Sequence, residues 1–198
     1  MANTYLTRTF VTPTSNQKFT ASFWFKRAAL SNGILLQTGS DYFYFNSDAI
    51  DFEMSIGRLK TNRLLRDVSA WYNVIVAVDT TLGTADDRIK MYINGFQETS
   101  FSARSNPSQN ATSAGFNTAV AHKIGQRQAS PGNDLNFDGS MAFVAFIDGK
   151  QEAPTVFGET DTTTGEWKIK TSITPTSAWG NNGFFILKAV SYTHLTLP

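Results

Sequence analysis

The chain has 198 residues, no cysteine and a formal net charge of +1. That length suits one domain, or one domain with an appendage, able to bury roughly 70% of its unfolded surface without staples. Disulfides, thiolate metal sites and a cysteine nucleophile are excluded, and the charge gives no electrostatic footprint for nucleic acid.

The opening MANTYLTRTF lacks the basic-then-apolar pattern of a secretory signal, and no apolar run is long enough to span a bilayer. Aromatic residues make up 13% of the chain, with sixteen Phe, which suits a thick β-core. Tyr5 to Val11 alternates as an edge strand, and Thr12-Pro13-Thr14-Ser15-Asn16 ends it in turn chemistry. Lys18 to Arg27 sets Phe19, Ala21, Phe23 and Phe25 against Thr20, Ser22, Trp24 and Lys26, the pattern of a half-buried strand. Short strands follow at Ile34–Thr38, Asp41–Asn46, Ala49–Ile56 and Leu59–Leu65, separated by Gly, Ser and Asn turns.

Trp71 to Val78 is apolar on both faces and predicts a strand lying between two covered surfaces. A polar loop, Asp79 to Asp87, leads to a second strand from Arg88 to Ile93. Asn94-Gly95 then predicts a tight hairpin, because both central residues of that turn need positive φ. Phe96 to Phe101 is the expected returning strand. Ser102 to Thr118 has no period and reads as an exposed loop, and Ala119 to Gly125 reads as a strand. Asp138 to Asp148 is the last deep strand. Beyond it, Ala153 to Phe157 suits one helical turn with Pro154 at its start, Glu159 to Lys170 is loop-like until Trp167, and Gly183 to Leu187 is a short strand. Turn signals every eight to twelve residues argue for an all-β, two-sheet antiparallel sandwich.

The run from Trp71-Tyr72 through the acidic loop to Arg88-Ile89-Lys90-Met91-Tyr92-Ile93-Asn94-Gly95 resembles the centre of laminin G-like domains, members of the concanavalin A-like lectin/glucanase group. Phe137 to Phe146 resembles that family's closing core strand. The resemblance spans Lys18 to Gly149 and implies a jelly-roll sandwich. A second resemblance lies in Phe157 to Trp167, in Asn182-Gly183-Phe184 and in Tyr5 to Phe10. These are similar to virion-associated proteins of marine and other environmental bacteriophages, which implies a tail or other virion component, and otherwise an extracellular location. Val190 to Pro198, VSYTHLTLP, resembles the in-frame translation of a transposase mosaic end plus sequencing adaptor. The expectation is one domain over residues 1–188, with an extension from about 150 and a non-native tail over 189–198, the natural chain continuing past Lys188.

Several chemistries have candidate residues. Glucanases of the resembled fold carry Glu-x-Asp-x-x-Glu on one strand; here Asp51 and Glu53 share a strand face, but the first Glu and a third carboxylate are missing. His122 sits mid-strand without a nucleophile motif, so no catalytic residue is assigned. The family resemblance implies calcium at a sandwich rim, for which Asp79, Asp86 and Asp87 are candidates and Asp134 with Asp138 a second cluster; loop acids serving turns and solubility are the competing reading. Sugar binding needs aromatic faces beside polar groups, and Tyr42, Tyr44 and Asn46 alternate away from Phe43 and Phe45, within reach of Arg58, Lys60 and Asn62. The same tyrosines would also suit a core position with wet hydroxyls. Trp24, Trp71 and Trp167 read as core or corner residues. The leading expectation is a non-catalytic module on a phage particle that binds host-surface glycan or polysaccharide, alongside other virion proteins and as a homo-oligomer, without nucleic acid or membrane insertion. A structural spacer and a glucanase are the alternatives.

Overall fold

The structure, a computed structural model, describes residues 5–127, 135–170 and 172–186. Asp134 and the adaptor-like Val190–Pro198 lie outside the described residues. The strands run β1 (Leu6–Thr9), β2 (Lys18–Arg27), β3 (Gly33–Gln37), β4 (Tyr42–Asn46) and β5 (Ala49–Met54). Next come β6 (Gly57–Leu64), β7 (Tyr72–Asp79), β8 (Ile89–Ile93), β9 (Phe96–Gln97) and β10 (Phe101–Ser105). The last are β11 (Ala121–Ile124), β12 (Gly139–Asp148), β13 (Gly158–Thr160), β14 (Trp167–Ile169) and β15 (Phe184–Ile186).

They form a seven-stranded sheet in the order β1-β11-β3-β4-β5-β6-β10 and a six-stranded sheet in the order β15-β12-β2-β7-β8-β9, with β13-β14 as a separate hairpin. Pairing is antiparallel in both sheets, giving the two-sheet all-β sandwich that the turn spacing predicts. Two 3-10 turns, Ala85–Asp87 and Pro154–Val156, are the helical pieces among the described residues, and no helix there is long and apolar enough to cross a membrane.

Phenylalanines alternating inward from both sheets fill the space between them. Phe23 meets Phe43 edge-on at 5.6 Å, Phe25 meets Phe45 at 5.2 Å, and Phe43 meets Phe52 at 5.3 Å. Each fully buried ring contributes about 1.5–3 kcal/mol over an exposed one, and the edge-on geometry adds to that. At the end of β8, Asn94 and Gly95 have φ values of 49° and 81°, as the hairpin signal requires. The returning strand is shorter than expected: β9 has two residues, after which the chain crosses to the other sheet as β10.

The expected half-buried β2 is in fact buried on both faces. It lies between β12 and β7, and Thr20, Ser22 and Trp24 are as inaccessible as the phenylalanines opposite them. The cover is the chain after residue 149. Val156, Phe157 and Ile173, with Trp179 and Phe185 partly buried, pack on Ile75, Ala145 and Ile147 from the outer side of the six-stranded sheet. Glu152 N donates to Thr20 Oγ1 at 2.8 Å, Thr20 Oγ1 donates to Lys150 O at 2.8 Å, and Trp167 Nε1 donates to Asn73 Oδ1 at 3.1 Å. These bonds satisfy polar groups that burial would otherwise strand. The apolar double face of Trp71–Val78 is explained in the same way, although Trp71 itself is exposed, against expectation.

The expected exposed loop 102–118 is also different. Its start is the edge strand β10, and its end dives inward. Phe116 is fully buried, stacked on Phe52 with 5.3 Å between centroids and planes 6° apart. Asn117 beside it donates to Asp148 Oδ1 at 2.8 Å and to Ser15 O at 2.7 Å. Asp148 also accepts from Thr14 N at 2.7 Å and Asn182 N at 3.2 Å. One buried carboxylate thus ties the N-terminal turn, this loop and the C-terminal segment together. Small and amide residues disguise such a plug in the sequence, because a lone aromatic has no period to betray it.

Candidate functional site

Because the chain's own C-terminal segment covers the outer face of the six-stranded sheet, the outer face of the seven-stranded sheet is, among the described residues, the broad β-surface left to meet a ligand. Its centre is β4, β5 and β6. Alternation places Phe43, Phe45 and Phe52 inward and Tyr42, Tyr44, Asn46, Asp51 and Glu53 outward. Antiparallel register then aligns Tyr44 with Asp51 and Asp51 with Lys60 in one row, and Tyr42 with Glu53 and Glu53 with Arg58 in the next.

Arg58 does not simply face its cross-strand partner. It reaches diagonally, donating from Nε to Asp51 Oδ1 at 2.9 Å and from Nη2 to Asp51 Oδ2 at 2.6 Å, while Glu53 stands 4.0 Å from Nε. Asn46 Nδ2 donates to Asp51 Oδ2 at 3.0 Å and to the Tyr44 hydroxyl at 3.2 Å. The two tyrosine rings are half-buried and meet edge-on at 6.1 Å. Burial, followed by the charges of Asp51 and Glu53, raises the Tyr44 hydroxyl above its usual range, so it stays protonated at neutral pH. The Asp51 hydrogen bonds raise the Arg58 guanidinium further still, fixing it as a cation. Lys60 makes no ion pair among the described residues.

The five residues expected to bind sugar, Tyr42, Tyr44, Asn46, Arg58 and Lys60, therefore share one continuous face, with two rings, an amide and two cations side by side. The arrangement is pre-set: Asn46 and Arg58 are locked by the carboxylate beneath them, whereas Lys60 and the tyrosine rings are available. Sequence reasoning read Asp51 only as a carboxylate sharing a face with Glu53. A hairpin register turned at Ser55-Ile56 would have pointed to the charge row, but not to the diagonal that selects Asp51 as Arg58's partner.

A family model for the concanavalin A-like lectin/glucanases superfamily matches residues 2–157. The chain belongs to the concanavalin A-like lectin/glucanases superfamily. No curated protein matches it in sequence. Among solved structures, a candidate carbohydrate-binding protein from Bacteroides ovatus superposes with a TM-score of 0.57 at 15% identity, over 92% of this chain and 57% of that one. The heptameric SAP-like pentraxin from Limulus polyphemus gives 0.51 at 12%, over 93% of this chain and 89% of that one. Domains LG4-5 of the mouse laminin alpha1 chain give 0.50 at 13%, over 75% and 40%. The chain thus spans little more than half of the Bacteroides protein, and at these identities the likeness is one of fold.

This superfamily member does not gather the acids that were candidates for calcium. Asp79 is 3.1 Å from Lys18 Nζ and caps Thr81 N at 3.0 Å. Asp86 pairs with Arg104 at 3.0 Å and accepts from Asn106 Nδ2 at 2.6 Å, and Asp87 pairs with Lys90 at 3.0 Å. Each carboxylate is neutralised by a different cation, and among the described residues no group of three or more His, Cys, Asp or Glu is placed to hold a metal. The Lys and Arg interleaved with these acids decide the outcome. The loop reads as turn-capping and ion-paired, with no common centre for the three acids.

His122 is more deeply buried than its mid-strand position suggests, at 3% exposure, stacked on Phe10 with 3.7 Å between centroids. Its Nδ1 bonds Val120 O at 2.9 Å, and Nε2 accepts from Asn117 N at 3.3 Å. Desolvation lowers it to about 4, so it is a neutral core side chain near pH 7.

Proposed function

We propose that this superfamily member is a non-catalytic adhesion module, spanning residues 1–188, that binds glycan on the outer face of its seven-stranded sheet. The observation that carries the reading is the asymmetry of the sandwich: one outer face is packed under the chain's own C-terminal segment, and the other presents Tyr42 and Tyr44 beside Asn46, Arg58 and Lys60. Sugar rings stack on aromatic faces through their C–H surfaces, and hydroxyls bond to amide and cationic donors. Similarity in fold to the Bacteroides candidate carbohydrate-binding protein supports the same class.

Catalysis is disfavoured by the state of Asp51. A glycosidase nucleophile needs a free carboxylate oxygen, and a general acid needs a proton. Both oxygens of Asp51 are held by Arg58, with Asn46 on one of them, and the residue is out of contact with solvent.

The resemblance of Tyr5–Phe10 and Phe157–Trp167 to phage virion proteins supports placing the module on a tail or fibre, against host-surface polysaccharide and beside other virion proteins. A shallow face of this kind gives modest affinity per site, and repetition on an oligomeric fibre would multiply it without new contacts. The test is a glycan array probed with the artificially oligomerised chain. Binding to bacterial polysaccharide that disappears in folded Tyr42→Ala and Tyr44→Ala variants supports the reading. Silence across the array sinks it in favour of a structural spacer, and release of reducing sugar from β-glucan would favour the glucanase.

A further inference from the structure

The two sheets do not close evenly along their β1 and β15 edges. Leu6, Arg8 and Phe10 line one side of this edge, Phe10 buried and Leu6 and Arg8 exposed, and antiparallel register sets Leu6 opposite Ile124 and Arg8 opposite His122. Across from them on β15, Phe185 turns to the outer side while Phe184 and Ile186 face β1 and β11. The result is a cavity of about 290 Å³, walled by Phe10, Leu36, Ile124, Phe184 and Ile186.

The cavity opens to solvent past the exposed Leu6, Thr7 and Arg8, and its apolar walls favour hydrocarbon over water. Its volume falls at the lower end of the size range of small-molecule sites. Among the described residues Arg8 is the one charged residue in the lining. Its guanidinium stands 5.6 Å from the Phe10 ring centre, and it donates to the carbonyls of Gly183 and Asn181, at 3.3 and 3.4 Å. Both bonds are long, and Arg8 makes no ion pair among the described residues. Arg27, Arg58, Arg63, Arg66 and Arg104, by contrast, each meet a carboxylate within the chain, Arg27 with Asp48 at 2.9 Å. A planar fork of donors at the mouth of an apolar pocket matches a carboxylate in charge and shape. His122 does not compete for that role, because both ring nitrogens are already bonded and only its ring lines the wall.

We propose that this cavity binds a medium-chain carboxylate, its head on Arg8 and its tail between Phe10, Leu36, Ile124 and Ile186. The site is on the inner side of β1 and β11, so it is independent of the glycan face and stands or falls separately.

The test is isothermal titration calorimetry of the full chain with hexanoate, octanoate and decanoate. Saturable one-to-one binding is expected, tightening about three- to fourfold for each added methylene. Arg8→Gln is expected to weaken decanoate about tenfold or more and to leave 1-decanol unchanged, since only the charge-assisted bonds are lost. Ile124→Trp, or Ile186→Phe if the first variant does not fold, fills the chamber and should abolish binding of both. No saturable binding to the folded wild-type chain overturns the proposal, as does binding that survives the filled cavity. Equal affinity for decanol and decanoate, with Arg8→Gln silent, also overturns it.

Discussion

Arg58 holds Asp51 by both carboxylate oxygens, at 2.9 and 2.6 Å, and Asp51 has no contact with water. The pair fixes the floor of the exposed sheet face, and its energetics are lopsided. Forming a buried ion pair gains little net stability, but removing one partner leaves a charge in a low-dielectric site. Arg58→Leu should therefore destabilise the chain by about 3 kcal/mol, read from the midpoint of urea unfolding. The double variant Asp51→Leu with Arg58→Leu should recover most of that loss. A double variant as unstable as the single one would refute this account.

Phe116 closes the core from a segment whose composition suggests exposure. It is fully buried against Phe52 and lies 6.2 Å from Phe19. Phe116→Ala should cost about 3–5 kcal/mol, the range for an aromatic deletion that leaves a cavity. Substituting Val120, four residues on and exposed, with Ala should change unfolding by no more than about 0.5 kcal/mol.

Gly95 and Gly165 both have positive φ, 81° and 75°, but different surroundings. A side chain at Gly95 would overlap the Trp167 ring, whereas one at Gly165 would meet open space. Gly165→Ala should cost about 1 kcal/mol, for backbone strain alone. Gly95→Ala adds displacement of the indole and with it the Trp167–Asn73 bond, and should cost about 3 kcal/mol with a change in tryptophan fluorescence. Equal losses at the two sites would argue against the contact between the turn and Trp167.

His122 makes stability depend on pH. Its folded value of about 4 lies below the unfolded value of about 6.5, so the unfolded chain binds the extra proton first. The stability is whole above pH 6.5, falls as pH drops below that value, and is lost through the folded pKa near 4. The full effect is about 3 kcal/mol. Unfolding curves of the wild type and His122→Gln between pH 7.5 and 4 provide the check. The variant should lack this component of the slope, and parallel curves would contradict a buried neutral imidazole.

What the sequence determined by itself is what local pattern encodes. Alternation in Lys18–Arg27 and Trp71–Val78 specified strands, Asn94-Gly95 specified a tight turn, and the outward set Tyr42, Tyr44 and Asn46 followed from a period of two. The long-range arrangements are not written in any window. Whether β2 is covered on one face or two depends on a segment more than a hundred residues away folding back over it. Phe116 fills the core because the sheets leave a gap there, and Arg58 chooses Asp51 over its register partner Glu53 because a guanidinium gains more from a desolvated carboxylate it can grip twice. Asp79, Asp86 and Asp87 could have shared a cation on sequence grounds, and only tertiary placement gave each its own lysine or arginine. Pattern fixes which way a side chain points, and packing decides what it meets.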